Sequence, residues 1–263
     1  MKAFVAAFVL TILTAAGAQG KTSDGGVCPR PEAGSTVERP ADLYSANNVL
    51  NVTFNYYTSV DDAGRTLFCF VTPEGAESPT LHLNPGDTLN LTLNNEIPAP
   101  VGGPAEVMFD KSKACADTTM TEASVNIHFH GTNVSPKCHS DEVIHTLVNS
   151  GESYVYTIKI PDDEPPGMYW YHPHVHTLSE TALEGGASGA IEIEGIANLQ
   201  PAVADLPERM LIMRDQVVTG GAVPGGVQPS WDVSLNYVPV SFPQYKPAVI
   251  ETHAGEQEFW RFT

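Results

Sequence analysis

The chain has 263 residues and carries 31 acidic against 13 basic side chains, a net charge of −18. That balance excludes nucleic acid and anionic membrane surfaces as electrostatic partners, because both call for basic patches. The four cysteines form an even set, which in an oxidising compartment favours two disulfides over metal thiolates.

From the N-terminus, Lys2 is followed by an apolar run, Ala3–Ala16, and by Ala16-Gly17-Ala18, with small residues at both positions a signal peptidase reads. Residues 1–18 are expected to be a signal peptide and the protein to be secreted. The run is shorter than the roughly 20 apolar residues that a membrane span needs, so no anchor is expected. Sequons at Asn51, Asn90 and Asn133 agree with an extracellular glycoprotein.

After an N-terminal extension, 19–44, the chain reads as short strands. Period-two alternation runs through Val49–Tyr57, Leu67–Val71, Leu81–Leu83, Leu89–Leu93, Ser153–Ile160 and Ala190–Ile193. Asn84-Pro85-Gly86-Asp87 and Pro165-Pro166-Gly167 supply turns. A short helix is placed near Ala182–Gly186. The expected architecture is all-β, largely antiparallel, a Greek-key sandwich or barrel.

Residues 196–207 have the composition of a linker, and Arg209–Val218 and Val233–Phe242 again read as strands, with Gly/Pro-rich Gly220–Pro229 between them. The final Glu258–Thr263 is an alternation cut off mid-strand. One full domain, 45–195, followed by the truncated start of a second, 208–263, is the expectation.

Five of the nine histidines fall in His128-Phe129-His130-Gly131 and His172-Pro173-His174-Val175-His176. In a strand, residues i and i+2 share a face about 6–7 Å apart, so each H-x-H can aim two imidazoles at one point. A lone H-x-H is ordinarily a pair of surface histidines; two of them on apolar strands, Val125–Phe129 and Met168–Tyr171, point to a metal. Imidazole without thiolate suits copper or a catalytic zinc. Acid/base chemistry without metal ranks lower, since Asp141, Glu142, Glu180 and Glu184 follow no triad spacing. Cys115–Cys138 is the favoured disulfide because the two flank one histidine motif, and closing a loop of that size stabilises a fold by roughly 3 kcal/mol.

H-F-H-G at 128–131 resembles the H-W-H-G motif of the multicopper oxidases, the laccase-like superfamily, and W-Y-H-P-H at 170–174 resembles their W-Y/F-H-S/P-H motif. The N-P-G-D, N-S-G-E and G-A-S-G-A-I-E-I-E-G stretches at 84–87, 149–152 and 186–195 add to the likeness. It covers about 45–195 well and 205–263 loosely. The resemblance implies a cupredoxin-like first domain and a copper cofactor, with His128 on the type 2 copper and His130, His172 and His174 on the type 3 pair. These would be half of the ligands of the trinuclear cluster, where O2 is reduced as a small reducing substrate is oxidised; a missing C-terminal cupredoxin domain would supply the rest. His176 would at most support the ligands from outside the coordination sphere. Thr177 stands where the family commonly has glycine, and Asp141 lies where it often has a proton-relaying acid.

Lys137-Cys138-His139, with His145 beyond, departs from the family's type 1 copper motif H-C-H-x3-H, and Cys138 is better read as a disulfide half. Neither that motif nor H-P-x-H-x-H occurs in residues 1–263, so the chain alone is expected to show little or no oxidase activity. Two alternatives stand beside an oxidase fragment: a non-enzymatic copper-binding module, and self-association that completes the site between subunits.

Overall fold

A computed structural model of the chain describes residues 22–23, 26–100, 106–107, 111–218 and 229–263; the expected signal peptide and residues 220–228 of the Gly/Pro-rich stretch lie outside the described residues. Among the described residues, no helix is long and apolar enough to cross a membrane.

A short ribbon of β1 (Thr22–Ser23) and β2 (Arg30–Pro31) comes first. Then follow β3 (Asp42–Tyr44), β4 (Val49–Val60), β5 (Thr66–Val71), β6 (Thr80–Leu83) and β7 (Thr88–Asn95). A second ribbon, β8 (Glu106–Val107) with β9 (Thr119–Met120), precedes β10 (His128–His130), β11 (Ser153–Lys159), β12 (Gly167–His172) and β13 (Gly189–Ile193). Two sheets result, ordered β10-β12-β13-β6-β3 and β11-β7-β4-β5. Most ladders among the described residues are antiparallel, as expected, but β3·β6, β6·β13 and β4·β7 are parallel.

Alternation explains the packing. In β4 the residues Leu50, Val52, Phe54 and Tyr56 turn inward; in β7 Leu89, Leu91 and Leu93 do so, and in β11 Tyr154, Tyr156 and Ile158. They meet Leu81, Leu83, Phe129, Tyr171, Ile191 and Ile193 of the facing sheet in one apolar core. The sandwich is cupredoxin-like. Two disulfides, Cys28–Cys69 and Cys115–Cys138, fasten its periphery, the second being the favoured pair and the first tying the 19–44 stretch to β5.

The Asn84–Asp87 turn carries the chain from one sheet to the other, because β6 and β7 belong to different sheets. Pro85 and Gly86 occupy its centre, Gly86 at φ 85°, the left-handed position that a type II turn reserves for glycine. Asp87 closes it, its backbone N–H donating to the Asn84 carbonyl at 3.0 Å.

Several expected elements differ in detail. Of Val125–Phe129, Val125 forms only a lone bridge with Val148, and the ladder begins at His128. The helix α1 (Ser179–Glu184) starts before the expected Ala182, and the expected linker contains α2 (Ile196–Leu199) and a 3-10 turn at Pro201–Val203. Arg209–Val218 divides into β14 (Glu208–Leu211) and β15 (Met213–Val217), as Ile212 points inward against Ala190 and Met210. Val233–Phe242 is a hairpin of β16 (Trp231–Leu235) and β17 (Val238–Val240), turning at Asn236 and Tyr237 with φ 45° and 69°. Asparagine tolerates that conformation; Tyr237 is held in it by Arg30 and Arg214, whose guanidinium groups lie 4.2 and 3.9 Å from its ring centre. The last strand, β18 (Phe259–Phe262), is not left unpaired: it runs parallel to β14.

The cross-sheet turn is a point of fragility. The buried Asp87 carboxylate accepts from Asn84 N (2.7 Å), Ser45 Oγ (2.5 Å) and Asn48 Nδ2 (3.1 Å). Burial alone would raise its pKa, but these hydrogen bonds outweigh burial and hold it below the ordinary carboxylate value of 3.8. A depressed folded pKa means stability that is present above the ordinary value and is lost as pH falls through the lowered one. Asp87→Ala should therefore destabilise the fold by about 2 kcal/mol at neutral pH, with the difference from the parent narrowing in strong acid. Urea unfolding at both pH values checks this, and an equal difference at both would refute the assignment.

Candidate metal centre

β10 and β12 pair antiparallel with His128 opposite His172, Phe129 opposite Tyr171 and His130 opposite Trp170. Because strand neighbours alternate, Phe129 and Tyr171 go into the core while the histidines face the other way. Tyr171 donates its hydroxyl to the Pro79 carbonyl at 2.8 Å and stacks on Phe54, so the middle of the motif is an anchor. Trp170, on the histidine face, stacks on both His130 and His172, at ring distances of 4.9 and 4.1 Å.

Four imidazoles gather at this end of the sheet. The His128 ring centre lies 5.2 Å from that of His130, 5.4 Å from His172 and 5.1 Å from His174. One nitrogen from each of His128, His130 and His172 falls within 4.8 Å of the others. His174 reaches the group because β12 ends at His172 and Pro173 redirects the chain; its backbone N–H then donates to Asn126 Oδ1 at 2.7 Å. His172 is buried, His128 half-buried, and His130 and His174 open to the exterior, so the nest is accessible from one side.

Hydrogen bonds decide which nitrogens are free. His172 Nδ1 faces the Pro173 carbonyl at 2.8 Å and must carry the proton there, which leaves the Nε2 lone pair directed at His130 Nδ1, 3.2 Å away. His128 Nδ1 faces Asp141 Oδ1 at 2.9 Å, which likewise frees its Nε2. The same Asp141 oxygen accepts from the backbone N–H of Phe129 at 2.9 Å, fixing the carboxylate to the strand whose histidine it orients. Burial, opposed by the Pro173 carbonyl and reinforced by the neighbouring histidines, pushes the His172 pKa down to about 4. Burial and the nearby His128 and His174 also lower that of His130. Two of the four imidazoles, His128 and His172, are thus turned by a partner on Nδ1 that leaves Nε2 free, and with His130 and His174 beside them they make a donor set that fits a borderline cation such as copper.

The sequence motifs thus bring His128, His130, His172 and His174 together, and Asp141 to His128. His176 is exposed, and the ring contacts joining the other four do not extend to it. Cys138 is in a disulfide; His139 stacks on Tyr154, and His145 pairs with Glu142, so the Lys137-Cys138-His139 stretch gathers no ligands. The Asp141–His128 pair is a carboxylate–imidazole contact that linear spacing did not reveal, because the chain folds back on itself over a sequence separation of 13.

Asn126 is the residue the motifs do not flag. It is fully buried, and its amide donates to the carbonyls of Val143 and Thr146 at 2.9 and 3.2 Å while its oxygen receives the His174 N–H. One side chain therefore ties the Asp141 loop to the second histidine motif. Its signal was its place two residues before His128, the spacing at which side chains share a face in an extended segment.

Residues 118–197 match the family model described as multicopper oxidase. Among curated proteins, the chain is 29% identical over 126 residues to the multicopper oxidase MmcO of Mycobacterium tuberculosis, covering 46% of this chain and 22% of that protein. It is 30% identical over 110 residues to Laccase-2 of Thanatephorus cucumeris, covering 41% and 15%. Among solved structures, a variant of the McoA multicopper oxidase from Aquifex aeolicus aligns with TM-score 0.54 and 18% identity over 80% of this chain and 43% of that one, a likeness of fold. The matched part thus spans about a fifth of the curated relatives' length or less. Fold and histidine nest together define a cupredoxin-like protein with an imidazole donor set of the kind that suits copper. The family match falls on both histidine motifs, so the likeness to the multicopper oxidases is carried by the segment that builds the nest.

Two substitutions probe the frame. Asn126→Ala strands the Val143 and Thr146 carbonyls and the His174 N–H, and should destabilise by roughly 2–3 kcal/mol in thermal unfolding; a change below 0.5 kcal/mol, the ordinary scale of a surface substitution, would deny it the bridging role. Thr177 sits at φ 67°, a conformation that costs a β-branched residue on the order of 1–3 kcal/mol and glycine little. Thr177→Gly should accordingly raise stability by about 1 kcal/mol after glycine's own entropic penalty; a loss would mean that the strain is absent.

Proposed function

We propose that the chain is the N-terminal part of a secreted laccase-like multicopper oxidase and contributes half of the ligands of a trinuclear copper cluster. His128 would hold the type 2 copper, and His130, His172 and His174 the type 3 pair. The observation that carries this is the β10–β12 register, which sets His128 opposite His172 and so gathers the imidazoles of both H-x-H motifs at one end of the sheet. When bound, the cluster would supply the four-electron reduction of O2 to water, driven by one-electron oxidation of phenols, similar small reductants or metal ions.

The chain's own residues orient the donors and limit access. Asp141 keeps the proton on His128 Nδ1, and its half-buried carboxylate, in contact with that ring, would pass protons to the cluster. Trp170 packs on one side of two ligands and fixes their planes.

A further cupredoxin-like domain supplying the remaining ligands is part of the proposal, with 45–195 as the first domain, 196–207 as the connection and 208–263 as part of a second. Support comes from the inverted polarity of the β15·β16 pair. Its exposed face carries Met213, Val217, Trp231 and Val233 around a single charged residue, Asp215, and its buried face Arg214, Gln216, Asp232 and Ser234. An exposed apolar sheet face of this kind is what a neighbouring layer covers.

Copper titration of the metal-free chain, followed by electron paramagnetic resonance, tests the reading. Bound copper should fall by at least tenfold in affinity in His128→Ala and His172→Ala, and the chain alone should not turn over phenolic substrate. Equal binding by parent and variants would sink the ligand assignment. Binding by the complete, natural-length protein without any oxidase turnover would instead favour a non-enzymatic copper-binding module.

A further inference from the structure

We propose that His82, Glu192 and Glu194 form a second metal site, for a divalent transition cation such as zinc, on the face of the five-stranded sheet that meets β14 and β18. This site shares no residue with the histidine nest and does not rest on its assignment.

Register builds it. The parallel ladders β3·β6 and β6·β13 set Tyr44, His82 and Glu192 side by side, and Glu194, two residues on, returns to the same face. His82 Nδ1 lies 2.8 Å from Glu194 Oε1 and 3.7 Å from Glu192 Oε2, and the three donor atoms all fall within 4.8 Å of one another. Spacings of that order are the ones adopted by ligands bound at about 2.0–2.2 Å to a common zinc ion.

Glu192 points to a cation independently of the cluster. The residue is 1% exposed; Arg261 Nη2 takes its Oε1 at 2.8 Å, while its Oε2, the oxygen turned to His82, has no hydrogen-bond partner. A buried carboxylate oxygen is left without a partner only at considerable cost. His82 is prepared in the manner of a metal ligand: its far nitrogen, Nε2, faces Asp42 Oδ1 at 3.0 Å, and Tyr44 stacks on the ring at 4.2 Å, fixing its plane.

Charge agrees. Asp42, Glu192, Glu194 and Glu208 face Arg39 and Arg261, so with neutral His82 the cluster carries two uncompensated negative charges, which one dication neutralises. Without metal the site holds protons instead. Burial pushes the Glu192 pKa up to about 7, and the Glu194 and Asp42 carboxylates raise that of His82 against the opposing effect of burial. One nitrogen with two carboxylate oxygens suits zinc and its first-row neighbours better than a soft copper(I) ion.

The test uses the full chain with His128→Ala and His172→Ala together, which removes the imidazole nest, titrated with zinc chloride and counted for bound zinc by native mass spectrometry. This background should retain one zinc per chain, and adding Glu194→Gln should weaken binding at least tenfold, with Glu192→Gln doing the same. Glu194 is only half-buried, so its variant keeps the fold that circular dichroism would verify even if Glu192→Gln does not. Absence of bound zinc in the folded background, or undiminished binding in Glu194→Gln, would overturn the proposal.

Discussion

The register between β10 and β12 is the constraint on which the rest depends. Side chains alternate along a strand, so a slip of one residue would send His128 and His130 into the core and turn Phe129 out. The apolar residues between the histidines prevent that slip: Phe129 and Tyr171, directly opposite one another, are both fully buried, and Tyr171 is further pinned by Phe54 and by the Pro79 carbonyl. The site's geometry is thus held by the core beneath it, and the donors themselves can stay open to the exterior. Ligands on the rim of a rigid sheet are held more precisely than ligands on loops.

Much of the sandwich could be read from sequence because its strands follow the simplest pattern there is. The eight residues of β7, TLNLTLNN, bury every second side chain, and β11 does the same across from it. The four clustered histidines were legible for the same reason, since H-x-H within a strand fixes the relative direction of both rings. What escaped is non-local. Asn126, and the contact of Asp141 with His128, depend on loop closure; the Asn236–Tyr237 turn looks like continuous strand because the residues that stabilise its left-handed backbone, Arg30 and Arg214, are far away in the chain. Parallel ladders likewise leave no local mark, because the strands they join are not adjacent in sequence.

His82 was invisible for a further reason. In T-L-H-L it sits among apolar residues, and the structure buries all four positions of that strand. The sheet there is covered on both faces, by the core on one side and by the 208–263 segment on the other. The second covering is ionic where Glu192 meets Arg261 and apolar where Ala190 meets Met210 and Ile212. A buried charged network of this kind contributes little net stability but penalises any arrangement in which one partner is lost. It therefore fixes how the second segment seats on the first.

That seating accounts for the inverted polarity of β15 and β16. Their sequence, with Trp231 and Val233 alternating with Asp232 and Ser234, reads as a strand with its apolar side inward, yet the polar side is buried against the sandwich. Arg214 donates to Ser188 and packs on Tyr237, and Gln216 accepts from Arg65, so the polar face does find partners there, although Asp232 Oδ2, Ser234 Oγ and Arg214 Nη1 have none. A sheet that presents its polar face to one neighbour and leaves its apolar face outside gains little from burial on either side. The arrangement becomes favourable once the apolar face is itself an interior surface, because the transfer of Trp231, Val233, Val217 and Met213 out of water then adds to polar contacts already made. On the proposed two-domain reading, the polar interface is the boundary between two sandwiches and the apolar face lies in the second one's interior.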